Sequence, residues 1–240
     1  DALHDARTAV WNALRPFRMK LLRLAPAKFI HFGTTREIMA LMNHGIHAYK
    51  ELGWDNQIVS SIAGDTAGYN SVLSENAQIG ENCYLETSYV HSSGKIGNNV
   101  LLSYIDIHDE EIPDNVVLHG LKQKDGKFVV RIYGVTDNPK ENLLFGKPLD
   151  AVEGIWDGSD RTLWSANLYP ACDTISDAVA AALNVYAVMH GSGDIEAWKN
   201  STRKSLCSGF NDADASAIVA WDQRMEDLVR MDEILKLIHA

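Results

Sequence analysis

Cysteine is scarce in this chain, with three residues at Cys83, Cys172 and Cys207 and no C-x-x-C spacing among them. Neither a disulfide framework nor a thiolate zinc site is therefore expected, and the three read as buried or incidental thiols. Runs of Lys and Arg are also missing. The 22 basic side chains face 32 acidic ones for a formal charge of −10, and such a surface lacks the means to neutralise phosphates along a nucleic acid, which is excluded as a partner. No stretch approaches the roughly 18 consecutive apolar residues of a bilayer span, and no charged-then-apolar leader opens the sequence. No membrane is expected as a partner and the reading is cytoplasmic. The glycine clusters Gly64-Asp65-Thr66-Ala67-Gly68 and Gly191-Ser192-Gly193 match neither a Walker loop nor a Rossmann turn.

What is present suffices for a folded protein: 240 residues with 46% hydrophobic content fit one large or two small domains. Three segments differ in texture. Residues 1–57 are slightly basic and read as helical. Apolar positions Leu3, Val10, Leu14, Phe17, Leu21 and Leu22 recur at helical spacing around Pro16, which cannot donate to a helix ladder and splits the pattern. Lys28–Phe32 then reads as a short strand. Thr34 followed by Glu37 is a capping box, opening a helix with Ile38, Leu41, Met42 and Ile46 on one face and an end near Gly45 or Gly53.

Residues 58–150 are acidic and repetitive. Ile79-Gly80-Glu81-Asn82, Ile96-Gly97-Asn98-Asn99 and Ile112-Pro113-Asp114-Asn115 repeat one pattern at spacings of 17 and 16, with Ile62 as a degenerate first member. That period is three six-residue sides of a hexapeptide β-helix, in which coils must stack before any of them owns a core. Residues 117–133 look like a hairpin that closes the stack, turning at Lys124-Asp125-Gly126. Residues 151–240 are acidic and helical, with a second capping box at Thr174 and Asp177, a stop at Gly191, and a last long helix over about 212–239. The fold class expected is α+β, a short hexapeptide-like β-helix flanked by helical N- and C-terminal segments.

His31-Phe32-Gly33-Thr34-Thr35, Val117-Leu118-His119-Gly120-Leu121 and the run Arg131-Ile132-Tyr133-Gly134-Val135-Thr136-Asp137-Asn138-Pro139-Lys140 resemble the bifunctional L-fucokinase/GDP-L-fucose pyrophosphorylase family. Leu163-Trp164 with Leu168–Asp173 is similar to that family's stretch leading towards the kinase. The resemblance runs over roughly 25–240 and implies a left-handed β-helix. It implies a parent enzyme that phosphorylates L-fucose with ATP, then joins fucose-1-phosphate to GTP with release of pyrophosphate, using Mg²⁺ with both nucleotides. Both chemistries are expected outside this chain, in an N-terminal nucleotide-binding domain and a C-terminal kinase domain that are its missing partners. Residues 1–57 would then end the guanylyltransferase core, 58–150 form the β-helix with its hairpin, and 151–240 form a linker towards the kinase. The opening at Asp1 in mid-pattern and the close at Ala240 after a helix fit an internal piece, without a catalytic residue, metal site or cofactor of its own.

Sugar-phosphate contacts are expected at His31, Gly33, Thr34 and Thr35, where a helix start offers free N–H groups, although the same residues equally well cap the helix. His119, Arg131, Asp137, Asn138 and Lys140 are the second group, with Arg131 and Lys140 as phosphate partners; Asp137-Asn138-Pro139 reads equally as an ordinary turn. Asp106, His108, Asp109, Glu110 and Glu111 read as a solvated corner, and His44 with His47 as surface or core. Two rival readings stay open. One is a hexapeptide-repeat acyltransferase with His91 as general base; the other is a scaffold that orients catalytic modules or pairs copies as a homo-oligomer.

Overall fold

One coil is 17 residues long: Ala67 lies beside Tyr84, Tyr84 beside Leu101, and Leu101 beside Val117 one residue earlier than the strict repeat. These pairs belong to parallel strands β2 (Thr66–Tyr69), β5 (Tyr84–Glu86), β8 (Leu101–Ser103) and β11 (Val116–Lys122), the first face of a three-sided solenoid. The second face is β3 (Val72–Leu73), β6 (Tyr89–Val90) and β9 (Asp106–Ile107), and the third is β4 (Gln78–Ile79), β7 (Lys95–Ile96) and β10 (Glu111–Ile112). Ile79, Ile96 and Ile112 stand in register on the third face, as the repeat predicts. The computed structural model describes residues 2–18, 20–23, 25, 33–47, 49, 59–63, 66–152 and 162–239.

Alternation along each short strand sends Leu85, Leu102 and Leu118 inward, where with Val90, Ile107 and Ile112 they are sealed from water. Each such side chain contributes about 1.5–3 kcal/mol by burial, so three coils together make a core that one coil cannot. The repeated asparagine has a backbone reason. Asn82, Asn99 and Asn115 occupy the left-handed region at φ 55°, 55° and 62°, which asparagine tolerates better than most residues. Their side chains form a ladder, Asn82 Nδ2 to Asn99 Oδ1 at 2.8 Å and Asn99 Nδ2 to Asn115 Oδ1 at 3.0 Å.

Ile62 does not begin a coil. Residues Val59–Ala63 are β1, antiparallel to β2, so the solenoid starts at Thr66. At its other end β11 turns back as the expected hairpin into β12 (Phe128–Gly134), followed by antiparallel β15 (Tyr169–Cys172) and β16 (Arg203–Lys204), which completes one eight-stranded sheet. A small ribbon, β13 (Leu143–Leu144) with β14 (Lys147–Pro148), lies between the hairpin and β15 in sequence. Helix α3 (Ile175–Met189) starts at Thr174, whose side chain accepts from Asp177 N, and buries Ala178, Val179, Ala182 and Val185 in the solenoid's core cluster.

Short helices α4 (Ile195–Lys199) and α5 (Leu206–Asn211) lead to α6 (Ala215–His239). Helix α6 docks on a second corner row, Asn70, Thr87 and Tyr104 at φ 47°, 47° and 56°. A β-branched residue there costs about 1–3 kcal/mol unless its surroundings hold it. Trp221 Nε1 donates to Thr87 O at 3.0 Å, Thr87 Oγ1 donates to Asp222 Oδ1 at 3.3 Å, and Asn70 Nδ2 donates to Asp222 O at 3.1 Å.

Nearer the start, Thr34 caps α2 (Thr35–Ala40), which widens after six residues into a π-helical turn, Leu41–Gly45. Asn43 in that turn accepts from Ala67 N and donates to Asn82, extending the asparagine ladder. The chain divides into two compact units, Asp1–His31 and Phe32–Ala240. In the first, α1 (Ala2–Leu14) ends just before Pro16, and Val10, Trp11 and Phe17 are exposed. The strand expected at 28–32 lies outside the described residues. Among the described residues no helix is long and apolar enough to cross a membrane.

Candidate site on the outer sheet face

The strand alternation that sends Leu118 and Ile132 inward points His119 and Arg131, their neighbours, to the outer face of the sheet. Register then builds a row across five strands: Tyr69 beside Glu86, Glu86 beside Ser103, Ser103 beside His119, His119 beside Arg131. Pairing of Val129 with Ala171 brings Tyr169 opposite Arg131 as the next member. The adjoining row is apolar, with Ala67, Tyr84, Leu101 and Val117 covered by Met39 of α2.

Arg131 is only 6% exposed. Its Nη1 donates to Leu206 O at 3.2 Å and its Nη2 to His119 Nδ1, while its Nε is buried without a partner, as is the Tyr169 hydroxyl. No carboxylate among the described residues pairs with it. Burial lowers the Arg131 pKa from its ordinary value, the expected response of a cation taken out of water without a counter-charge. Beside it, burial first and the guanidinium second push His119 down to about 3. His119 is thus neutral and uses Nδ1 as an acceptor, orienting the guanidinium. Burial raises the Tyr133 pKa, and the Thr35 side chain is hydrogen-bonded to that phenol. Farther along the row Ser103 Oγ donates to Glu86 Oε2 at 2.7 Å. The row is polar and largely buried, with Glu86 and His119 partly exposed and one cation that lacks a counter-charge.

The predicted residues fare differently. His119 and Arg131 come together on this strip, and Thr35 is hydrogen-bonded to Tyr133 in the adjoining row. His31 lies outside the described residues. At the helix start, Gly33 N and Thr34 N both donate to Glu37 Oε2, while in the first turn Arg36 N donates to Val135 O and Glu37 N to Thr34 O. Asp137 is buried and accepts from Gly134 N, Phe145 N and Gly146 N, pinning the hairpin end to the β13–β14 ribbon. Asn138 accepts from Lys140 N and donates to Glu141, a turn geometry, with Lys140 exposed. Glu86, Ser103, Tyr133 and Tyr169 were not singled out from the sequence. Extending the 17-residue period from the third face to the first aligns Glu86 with Ser103 and would have found two of them.

The depressed pKa of His119 has a pH consequence. The folded state binds fewer protons than the unfolded chain once pH drops below the ordinary value of 6.5, so this group's contribution is intact above that pH and is lost as pH falls towards about 3. Replacing His119 by Gln is expected to flatten the fall in unfolding free energy between neutral pH and about pH 4, measured by urea titration at a series of pH values. An unchanged slope would mean that His119 is not held neutral.

The sequence profile of the Fucose pyrophosphorylase domain family matches residues 1–174. Over 216 aligned residues the chain is 23% identical to the fucose-1-phosphate guanylyltransferase of Homo sapiens, an alignment covering 76% of this chain and 35% of that protein. The chain therefore spans about a third of that relative's length. No solved structure matches. With the profile spanning the solenoid, the hairpin and β15, this chain belongs to the fucose pyrophosphorylase domain family.

Proposed function

We propose that this chain is the solenoid portion of a fucose-1-phosphate guanylyltransferase and that its outer strip receives the sugar phosphate. The observation that carries the proposal is Arg131, a buried guanidinium whose Nε has no partner and whose neighbours are neutral. Desolvating a cation costs several kcal/mol when nothing compensates it. An arriving phosphate would supply the missing charge and take bidentate hydrogen bonds from the planar fork. Thr35, Ser103, Glu86 and the tyrosines are then the partners for sugar hydroxyls and ring faces.

In the reaction assigned to the whole enzyme, a fucose-1-phosphate oxygen attacks the α-phosphorus of GTP and pyrophosphate leaves. This chain's residues bind and orient the attacking phosphate; the nucleotide and its Mg²⁺ belong to a further domain. Glu86 is the lone carboxylate of the strip and is engaged by Ser103, so no Mg²⁺ site is assigned here. Residues 151–240 as a link towards an L-fucokinase module are the finer part of the same proposal.

The test is calorimetric titration of this chain with L-fucose-1-phosphate, with acetyl-CoA as comparison ligand. Saturable heat from the sugar phosphate alone is the expected result. Binding of acetyl-CoA would overturn the reading in favour of an acyltransferase, and silence from both would reduce the chain to a scaffold.

A further inference from the structure

The second face of the solenoid carries a separate cluster. His91 and His108 are equivalent positions on successive coils, and Asp106, two residues before His108, points to the same outer side. Asp106 is buried, with His91 Nε2 at 2.8 Å and His108 Nε2 at 3.8 Å from the same oxygen, Oδ1. Its other oxygen, Oδ2, faces the Arg224 guanidinium of α6 at 3.8 Å. Tyr89 stacks on His91, and His91 on His108 with ring centroids 4.1 Å apart. The remaining acidic residues of the corner do not join. Glu110 accepts from the backbone N–H groups of His108 and Asp109, and Glu111 faces Lys95.

We infer that His91, Asp106 and His108 form a binding site for one borderline divalent cation of the Zn²⁺ class. The donor set is two imidazoles and a carboxylate, the chemistry that Zn²⁺ and Co²⁺ take and that Mg²⁺ and Ca²⁺ do not. The one-ligand-per-residue atoms lie within 4.8 Å of one another. Bonds of about 2.0–2.1 Å to a tetrahedral ion put ligand atoms about 3.3 Å apart, and the two separations to Oδ1 lie on either side of that value. Arg224 occupies the far oxygen, which leaves Oδ1 directed at the imidazoles, the orienting role that outer partners play around metal sites. Closing on the ion takes two small movements: His91 Nε2 opens slightly from Asp106 Oδ1, and the half-exposed His108 ring tilts out of the stack so that its Nε2 meets the same ion. A fourth position is left to water. The ion would join two successive coils on the face opposite in role to the sugar-phosphate strip, so the proposal does not depend on that strip.

The experiment is a Co²⁺ titration of the intact chain followed by visible absorption and thermal unfolding, with Zn²⁺ added afterwards as competitor. One equivalent of Co²⁺ is expected to give a saturable ligand-field band that Zn²⁺ removes, and to raise the unfolding temperature. His108→Asn, at a half-exposed position, should leave metal-free unfolding unchanged and weaken Co²⁺ at least about tenfold. The same affinity in His108→Asn, no band at all, or a thiolate charge-transfer band from Cys172 or Cys207 would each overturn the assignment.

Discussion

Replacing Arg131 by methionine in the full-length enzyme is expected to lower guanylyl transfer at limiting fucose-1-phosphate by roughly 10–150-fold, the value of a hydrogen bond to a charged group, while the fold becomes no less stable. The two halves of this result have one cause. A guanidinium with an unpartnered Nε and no carboxylate beside it is costly to bury, and a flexible unbranched apolar chain of similar length fills much of the same space without that cost. An anion-binding role predicts loss of activity with stability kept or gained. A structural role predicts the reverse, because Leu206 O and His119 would lose their donor. Arg131→Lys sharpens the test, since lysine keeps the charge but not the fork. Its KM for the sugar phosphate should fall between those of wild type and Arg131→Met, with the KM for GTP unmoved. Equal loss of stability and activity in the methionine variant would remove Arg131 from the binding site.

Gly120→Ala is expected to be the most damaging single-methyl change in the solenoid, destabilising it by about 1–3 kcal/mol or more. A Cβ at residue 120 would stand 2.3 Å from Tyr104 O, a backbone atom, and 3.2 Å from both Ile105 Cδ1 and Ile175 Cδ1. A side-chain tip could swing aside, but a carbonyl cannot move without its strand. The addition therefore pries β11 from β8 beside His119 and Ser103, so sugar-phosphate binding should fall with stability. Gly126→Ala is the control at a turn. Nothing lies within 4 Å of its Cβ, and its φ of +87° confines the cost to backbone strain. Urea midpoints of the two variants check the order; a Gly126 variant worse than the Gly120 variant would show that packing at the β8–β11 seam has slack.

The solenoid was legible because its signal is periodic and its physics local. Ile79, Ile96 and Ile112 mark one inward position, and Asn82, Asn99 and Asn115 mark one left-handed corner. Ile62 misled because an isoleucine among small polar residues looks alike in a coil and in an antiparallel edge strand, and pairing direction leaves no trace in composition. The helix after Thr34 was expected to run to Gly45 or beyond, but its last part is wider than an α-helix where Asn43 reaches the first coil. At the site, His119 and Arg131 were visible as polar residues in an otherwise apolar hairpin. Asp137, Asn138 and Lys140 are visible as the polar turn after the hairpin; the side chains of Asp137 and Asn138 are engaged by neighbouring backbone there, while the Lys140 side chain is exposed. Tyr169 was out of reach, because β15 joins the sheet only after the β13–β14 ribbon, a separation that no local pattern bridges. The cluster of Asp106 and His108 is legible in the sequence, but its adjacency to His91 is not, since contact between coils is a property of the stack.

The stack also has two ends, and each is finished differently from its middle. Parallel coils expose the same hydrogen-bonding edge that lets cross-β fibrils grow by adding copies. Here the first coil meets β1 running the opposite way with an irregular register, and the last is diverted into the β11–β12 hairpin and then two shorter antiparallel strands. Among the described residues, an incoming coil would meet an antiparallel strand in place of a parallel template at both ends of the first face. Lengthening this protein by inserting a 17-residue coil between β5 and β8 should therefore yield a taller stack that does not grow end to end, whereas removing the reversed strand at the first coil would open a seed for end-to-end polymerisation.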